Sequence, residues 1–97
     1  MGLIAHVQWS HEMRVHHQLV GYNLGTGRAE IAYNIADLKF DEVAKIAGVD
    51  DTDPEGALTY PLERDQARAI AEMVNLRLDF DHYDFCFEPM TAIQVRN

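Results

Sequence analysis

The chain is poor in cysteine: Cys86 is the only one among 97 residues. An intramolecular disulfide is excluded, and a lone thiol fits a reducing compartment, so the expectation is a cytoplasmic protein. Long apolar runs are missing too, and none approaches the ~20 residues that cross a bilayer. Residues 1–14 lack a basic opening, an apolar run and a small-residue cleavage site, so no signal peptide is expected. Gly2 follows Met1, but His6 stands where a myristoylation pattern needs Ser or Thr. There is no glycine-rich phosphate loop, no paired-cysteine motif and no helical histidine pair.

Bases are scarce. Eight Lys and Arg face sixteen Asp and Glu, for a net charge of -8. The imbalance is local: residues 1–36 are neutral, whereas residues 37–88 hold fourteen acids against five bases. Nucleic-acid backbones and anionic membranes repel such a chain, so neither is an expected partner. A basic protein is attracted to it, and the attraction speeds encounter. The same charge also serves solubility.

What is present describes one globular domain over residues 1–97. The apolar share is 47% and the charged share 25%, both ordinary for a folded domain. Residues 3–10 alternate Leu3, Ala5, Val7 and Trp9 with Ile4, His6, Gln8 and Ser10, which predicts a strand. Residues 14–35 read as a hairpin that turns at Gly25, Thr26 and Gly27, where glycine takes a positive φ freely. The return strand alternates Ala29, Ile31, Tyr33 and Ile35 with Glu30, Ala32 and Asn34. From residue 38 the period changes: Leu38, Val43, Ile46 and Ala47 share a helical face, and Gly48 is the stop. A second helix follows over 63–75 with Ala67, Ile70, Ala71 and Val74 inward. Residues 57–62 read as a short extended piece ending at Pro61. Tyr83, Phe85 and Phe87 alternate with Asp84, Cys86 and Glu88 in the last clear strand, and residues 92–95 extend it or add an edge. The expected fold is α+β: an antiparallel sheet, with a three-strand N-terminal meander plus a C-terminal strand, packed on two helices. Trp9, Ile31, Ile70 and Phe85 are expected in its core.

Chemistry-bearing patterns are weak. His6, His11, His16, His17 and His82 are spread out, and adjacent His16 and His17 point to opposite faces of a strand, so a tetrahedral zinc site is not expected. They read as exposed strand histidines. Asp50 to Gly56 has the acids of a calcium loop without its spacing, since Glu55 and Pro61 occupy the positions that need Gly and Glu. Cys86 sits between two phenylalanines, where burial raises a thiol pKa and keeps it inert. Asp79 and Asp81 could form a carboxylate pair, but nothing sets one apart from the other. No catalytic residues, cofactor or metal ligands are therefore expected.

The densest feature is the run from Asn75 to Pro89, which sets Asp79, Asp81, Asp84 and Glu88 among Phe80, Tyr83, Phe85 and Phe87. Rings beside carboxylates suit an interface with a basic partner, the rings supplying area and the acids pairing with Lys or Arg. The plainer reading makes the rings core and the acids solvated. Candidate partner-binding residues are Asp79, Asp81, Asp84 and Glu88, with Asp50, Asp51 and Asp53 as a second group.

Gly21-Tyr22 in the hairpin, Tyr60-Pro61-Leu62 with Gln66-Ala67 at a helix start, and the closing Leu78, Asp79, Asp81, Tyr83, Asp84 and Glu88 together resemble a family of small, uncharacterised bacterial domains. The resemblance covers most of the chain after residue 14 and implies the fold but no activity. The chain departs from that pattern at Glu63-Arg64, where a hydroxyl cap followed by proline is expected. More loosely, its size, acidity and class resemble immunity proteins of bacterial toxin systems, such as contact-dependent growth inhibition or colicin-type nucleases. That resemblance implies one-to-one binding of a basic toxin C-terminal domain, without catalysis. A regulatory or structural interaction module with no toxin partner is the alternative reading, and a small enzyme the third.

Overall fold

A computed structural model describes residues 15–90. The elements are β1 (His17–Asn23), β2 (Ala29–Asn34), α1 (Phe40–Ala47), β3 (Tyr60–Pro61), α2 (Arg64–Met73) and β4 (Tyr83–Pro89). The strands form one antiparallel sheet in the order β2-β1-β4-β3. The fold is α+β, as the change of hydrophobic period predicts.

Register assigns the two faces. Leu19 lies opposite Phe87 and Tyr33, and Gly21 opposite Phe85 and Ile31. These residues face the helices. Val43 and Ala47 of α1 and Ile70 of α2 join Leu19, Ile35 and Phe87 in the core. Phe87, Leu19, Ile70 and Val43 are fully buried, and burying each is worth roughly 1.5–3 kcal/mol. The other face of the sheet carries Gln18, Val20 and Tyr22 from β1 and Asp84, Cys86 and Glu88 from β4.

Gly21 is dictated by packing. A Cβ built on it would overlap Ile31 Cγ2 and stand 2.9 Å from Phe85 Cε1, so its neighbours' side chains close over a bare backbone. The hairpin turns where expected. Asn23 Oδ1 accepts the Gly25 and Thr26 amides, and Gly27 takes φ +74°. Helix α1 begins at Phe40 rather than near Leu38. Residues 35–38 form a turn instead, in which Asn34 Oδ1 accepts the Ala36 amide and Ile35 O accepts the Leu38 amide. Leu38 still packs on the core from that turn.

At the start of α2, Gln66 replaces the hydroxyl cap that Glu63 lacks. Its Oε1 accepts the Glu63 amide at 2.7 Å, and its Nε2 donates to Ile46 O at 2.9 Å. One carboxamide thus closes the first turn of α2 and ties it to the end of α1.

The C-terminal strand lies inside the sheet, between β1 and β3. Ile70 and Phe85 are buried as expected, while Ile31 is half-buried on β2 at the end of the strand order. The expected strand over 3–10, with Trp9, and the extension over 92–95 lie outside the described residues.

Candidate functional site

Three polar groupings stand out, and the seven-residue β4 separates two of them by about 20 Å. The first lies where β1 begins. The loop between α1 and β3 folds around Asp53, whose Oδ1 accepts the Ala57 amide and whose Oδ2 accepts the Leu58 amide and the Tyr60 hydroxyl. These bonds, the one from Tyr60 foremost, hold the Asp53 carboxyl below its ordinary pKa. His17 is buried beside the loop, its ring stacked on Phe87 at 4.7 Å and on Phe40 at 5.0 Å. Its Nε2 lies 2.9 Å from Gly56 O. A carbonyl only accepts, so Nε2 carries the hydrogen. Burial pushes the His17 pKa down despite the carbonyls of Gly56 and Glu55 and the charge of Asp53.

Gly56 has φ +64°, and a Cβ there would come within 2.8 Å of both His17 Nε2 and Phe40 Cε1. Nearer the start of the loop, Asp50 Oδ1 accepts the Thr52 amide and hydroxyl, both at 2.8 Å, which lowers the Asp50 pKa. Asp50 and Asp51 are exposed.

The second grouping is the turn into β4, at the opposite end of the sheet. Asp79 Oδ1 accepts the Asp81 and His82 amides, and Asp79 Oδ2 lies 2.7 Å from His82 Nδ1. The Asp79 carboxylate raises the His82 pKa, and His82 in turn lowers that of Asp79. Phe80 turns its ring edge to Phe85, while the Arg64 and Arg68 guanidiniums lie 5.9 and 5.3 Å from its centroid. Such cation–π contacts pin the turn onto α2. Asp81 is exposed, and so is Asp84 on β4.

The third grouping is on the face away from the helices. The Tyr22 hydroxyl donates to Glu88 Oε2, and that bond, with burial, pushes the Tyr22 pKa up to about 12. Gln18 lies directly across from Glu88 and is buried, its Nε2 having no hydrogen-bond partner among the described residues. Cys86 is half-buried between Asp84 and Glu88. Burial, followed by those two charges, raises its thiol pKa to about 11. Little thiolate exists at neutral pH, so Cys86 is a weak nucleophile.

The structure therefore divides the seven candidate acids. Asp50, Asp51, Asp81 and Asp84 are exposed. Asp79 is exposed but engaged with His82. Asp53 and Glu88 are buried, and their carboxylates accept hydrogen bonds from within the fold. His17 departs from the reading of exposed strand histidines, because it lies on the helix-facing side of β1. His17, Gln18 and Tyr60 do not stand out as partner-binding residues in the sequence. The available signal was Gly56, a glycine that closes an acidic turn and leaves room for a ring. Among the described residues, no three His, Cys, Asp or Glu side chains converge as a metal site. No helix among them is long and apolar enough to cross a membrane.

A four-stranded sheet covered on one face by two short helices, with its polar groups spent mostly on turns and staples, defines a small α+β domain. Residues 17–88 match the family described as Domain of unknown function (DUF7683), and the chain belongs to that family. The match runs from the first residue of β1 almost to the last of β4. No curated protein and no solved structure matches the chain.

Proposed function

We propose that this chain is an immunity-type inhibitor: it binds a basic toxin domain one-to-one in the cytoplasm and blocks it without catalysis of its own. The observation that supports the reading is uncompensated charge. Among the described residues, only Asp65 and Asp79 of the acids pair with a base, Asp65 with Arg68 and Asp79 with His82. Asp50, Asp51, Asp81 and Asp84 are exposed and have no basic partner among the described residues. Carboxylates left unneutralised within a fold steer basic proteins toward it and pair with them on contact.

The decisive experiment is genetic and then biochemical. The C-terminal domain of the secreted protein encoded directly upstream is expressed alone and with this chain. Growth arrest in the first case, growth in the second and a one-to-one complex of the purified pair are the expected results. A folded chain that neither rescues growth nor binds that domain overturns the reading. A neighbourhood without a toxin points instead to a module for some other basic partner.

A further inference from the structure

We propose that the loop from Asp50 to Leu58 is held on the sheet by a histidine latch, and that protonation of His17 releases it while the sheet and helices stay folded. This rests on the fold and not on the identity of any partner.

The geometry of the latch is specific. The loop is internally braced by Asp53, which takes the Ala57 and Leu58 amides. It meets the sheet through the Tyr60 hydroxyl on Asp53 and through His17 Nε2–H on Gly56 O. At the second contact the Gly56 backbone comes so close to the His17 and Phe40 rings that it leaves no room for a side chain.

A proton added at His17 Nδ1 would charge a buried ring whose Nε2–H already lies on Gly56 O, and the Gly56 and Glu55 carbonyls offset that burial only in part. Helix α1 and strand β4 present the Phe40 and Phe87 rings to it. From the loop, Asp53 favours the charged form, but both its oxygens are already engaged. Along the chain, His16 disfavours it. A buried imidazolium regains solvent most cheaply by letting go of Gly56, since only the loop then has to move. The released loop carries Asp50 and Asp51 with it, so acid would redistribute part of the exposed negative charge.

The test is amide hydrogen exchange by NMR from about pH 7.5 to about pH 4.5, corrected for intrinsic rates. One linked proton changes a local opening equilibrium by at most about tenfold per pH unit. Protection of the Asp50 amide, which donates to the Tyr60 hydroxyl across the contact between loop and sheet, should fall with that limit, while Val20 and Phe87 in the sheet keep theirs. His17→Gln retains an N–H donor and cannot take up the proton, so its loop protection should not depend on pH. Gly56→Ala should show at about pH 7.5 the loop pattern that the native chain shows in acid. Three results would each overturn the proposal. Loop protection could stay constant while the His17 ring titrates. Loop and sheet could lose protection together. The His17→Gln loop could still open in acid.

Discussion

Tyr22 and Glu88 are 66 positions apart in the chain, yet the tyrosine hydroxyl donates to the glutamate carboxylate on the face of the sheet away from the helices. The bond joins neighbouring strands diagonally, passing over the Val20–Cys86 pair. Removing the hydroxyl with Tyr22→Phe leaves a buried carboxylate short of a donor, which costs about 1–3 kcal/mol. Glu88→Gln keeps an acceptor and should cost less. Urea unfolding of both single variants and the double variant checks this. The double should be less destabilised than the two singles added together. Strict additivity would mean the pair is not coupled.

Phe85 and Gly21 form a matched pair, one large and one empty, facing each other across β4 and β1. Phe85→Ala should cost about 3–5 kcal/mol. A loss below about 1 kcal/mol would place the ring at the surface. Gly21→Ala should also destabilise, by about 1–3 kcal/mol or more, because the new methyl meets Ile31 and Phe85.

Gln66 serves two helices through one side chain. Gln66→Ala deletes both the closure of the first turn of α2 and the bridge to Ile46 O. The expected loss is about 1–2 kcal/mol, measured by chemical denaturation. Gln66→Glu keeps the acceptor for the Glu63 amide and loses the donor to Ile46 O. Its loss reports the bridge, and one equal to that of Gln66→Ala would show that closing the turn contributes nothing.

His17 and His82 should titrate on opposite sides of the ordinary value of 6.5. His17 is pushed down by burial, so the unfolded chain binds its proton more readily than the folded one. Its contribution to stability is complete above 6.5 and is lost as pH falls through the folded value. His82 is pushed up by Asp79, so its contribution is complete below 6.5 and is lost as pH rises through its own folded value. Proton NMR of the two ring resonances measures both. A reversed order would contradict the burial of one ring and the pairing of the other.

For partner binding, Asp81→Lys with Asp84→Lys is the informative reversal, because neither residue braces the fold. Asp50→Lys with Asp51→Lys is its counterpart at the other end of the sheet. If the turn into β4 is the interface for the proposed toxin domain, the first pair should lose protection and the second should mainly slow association. The rates should also fall as salt screens charges beyond ~8–10 Å. Two folded variants with native rates and full protection would exclude an acidic interface.

Local chemistry made much of this fold legible in the chain. The period of two at Tyr83, Phe85 and Phe87, the helical spacing of Val43 and Ala47 and of Ile70, and the glycines of the hairpin turn depend on nearest neighbours, so a single strand of sequence records them. So does the charge of residues 37–88. The sequence alone did not show which acids are free. Asp50, Asp51 and Asp53 look alike in composition, yet Asp53 is buried because Tyr60 and two loop amides converge on it. Glu88 shares one face of β4 with Asp84, yet only Glu88 is reached by Tyr22, a residue of a different strand. Asp53 finds its partners only four to seven residues on, once the loop has folded back on it, whereas Tyr22 reaches Glu88, and the rings enclose His17, from distant parts of the chain. Only the tertiary structure brings them into hydrogen-bond range, and it is that proximity which decides whether a carboxylate braces the fold or remains free to meet a partner.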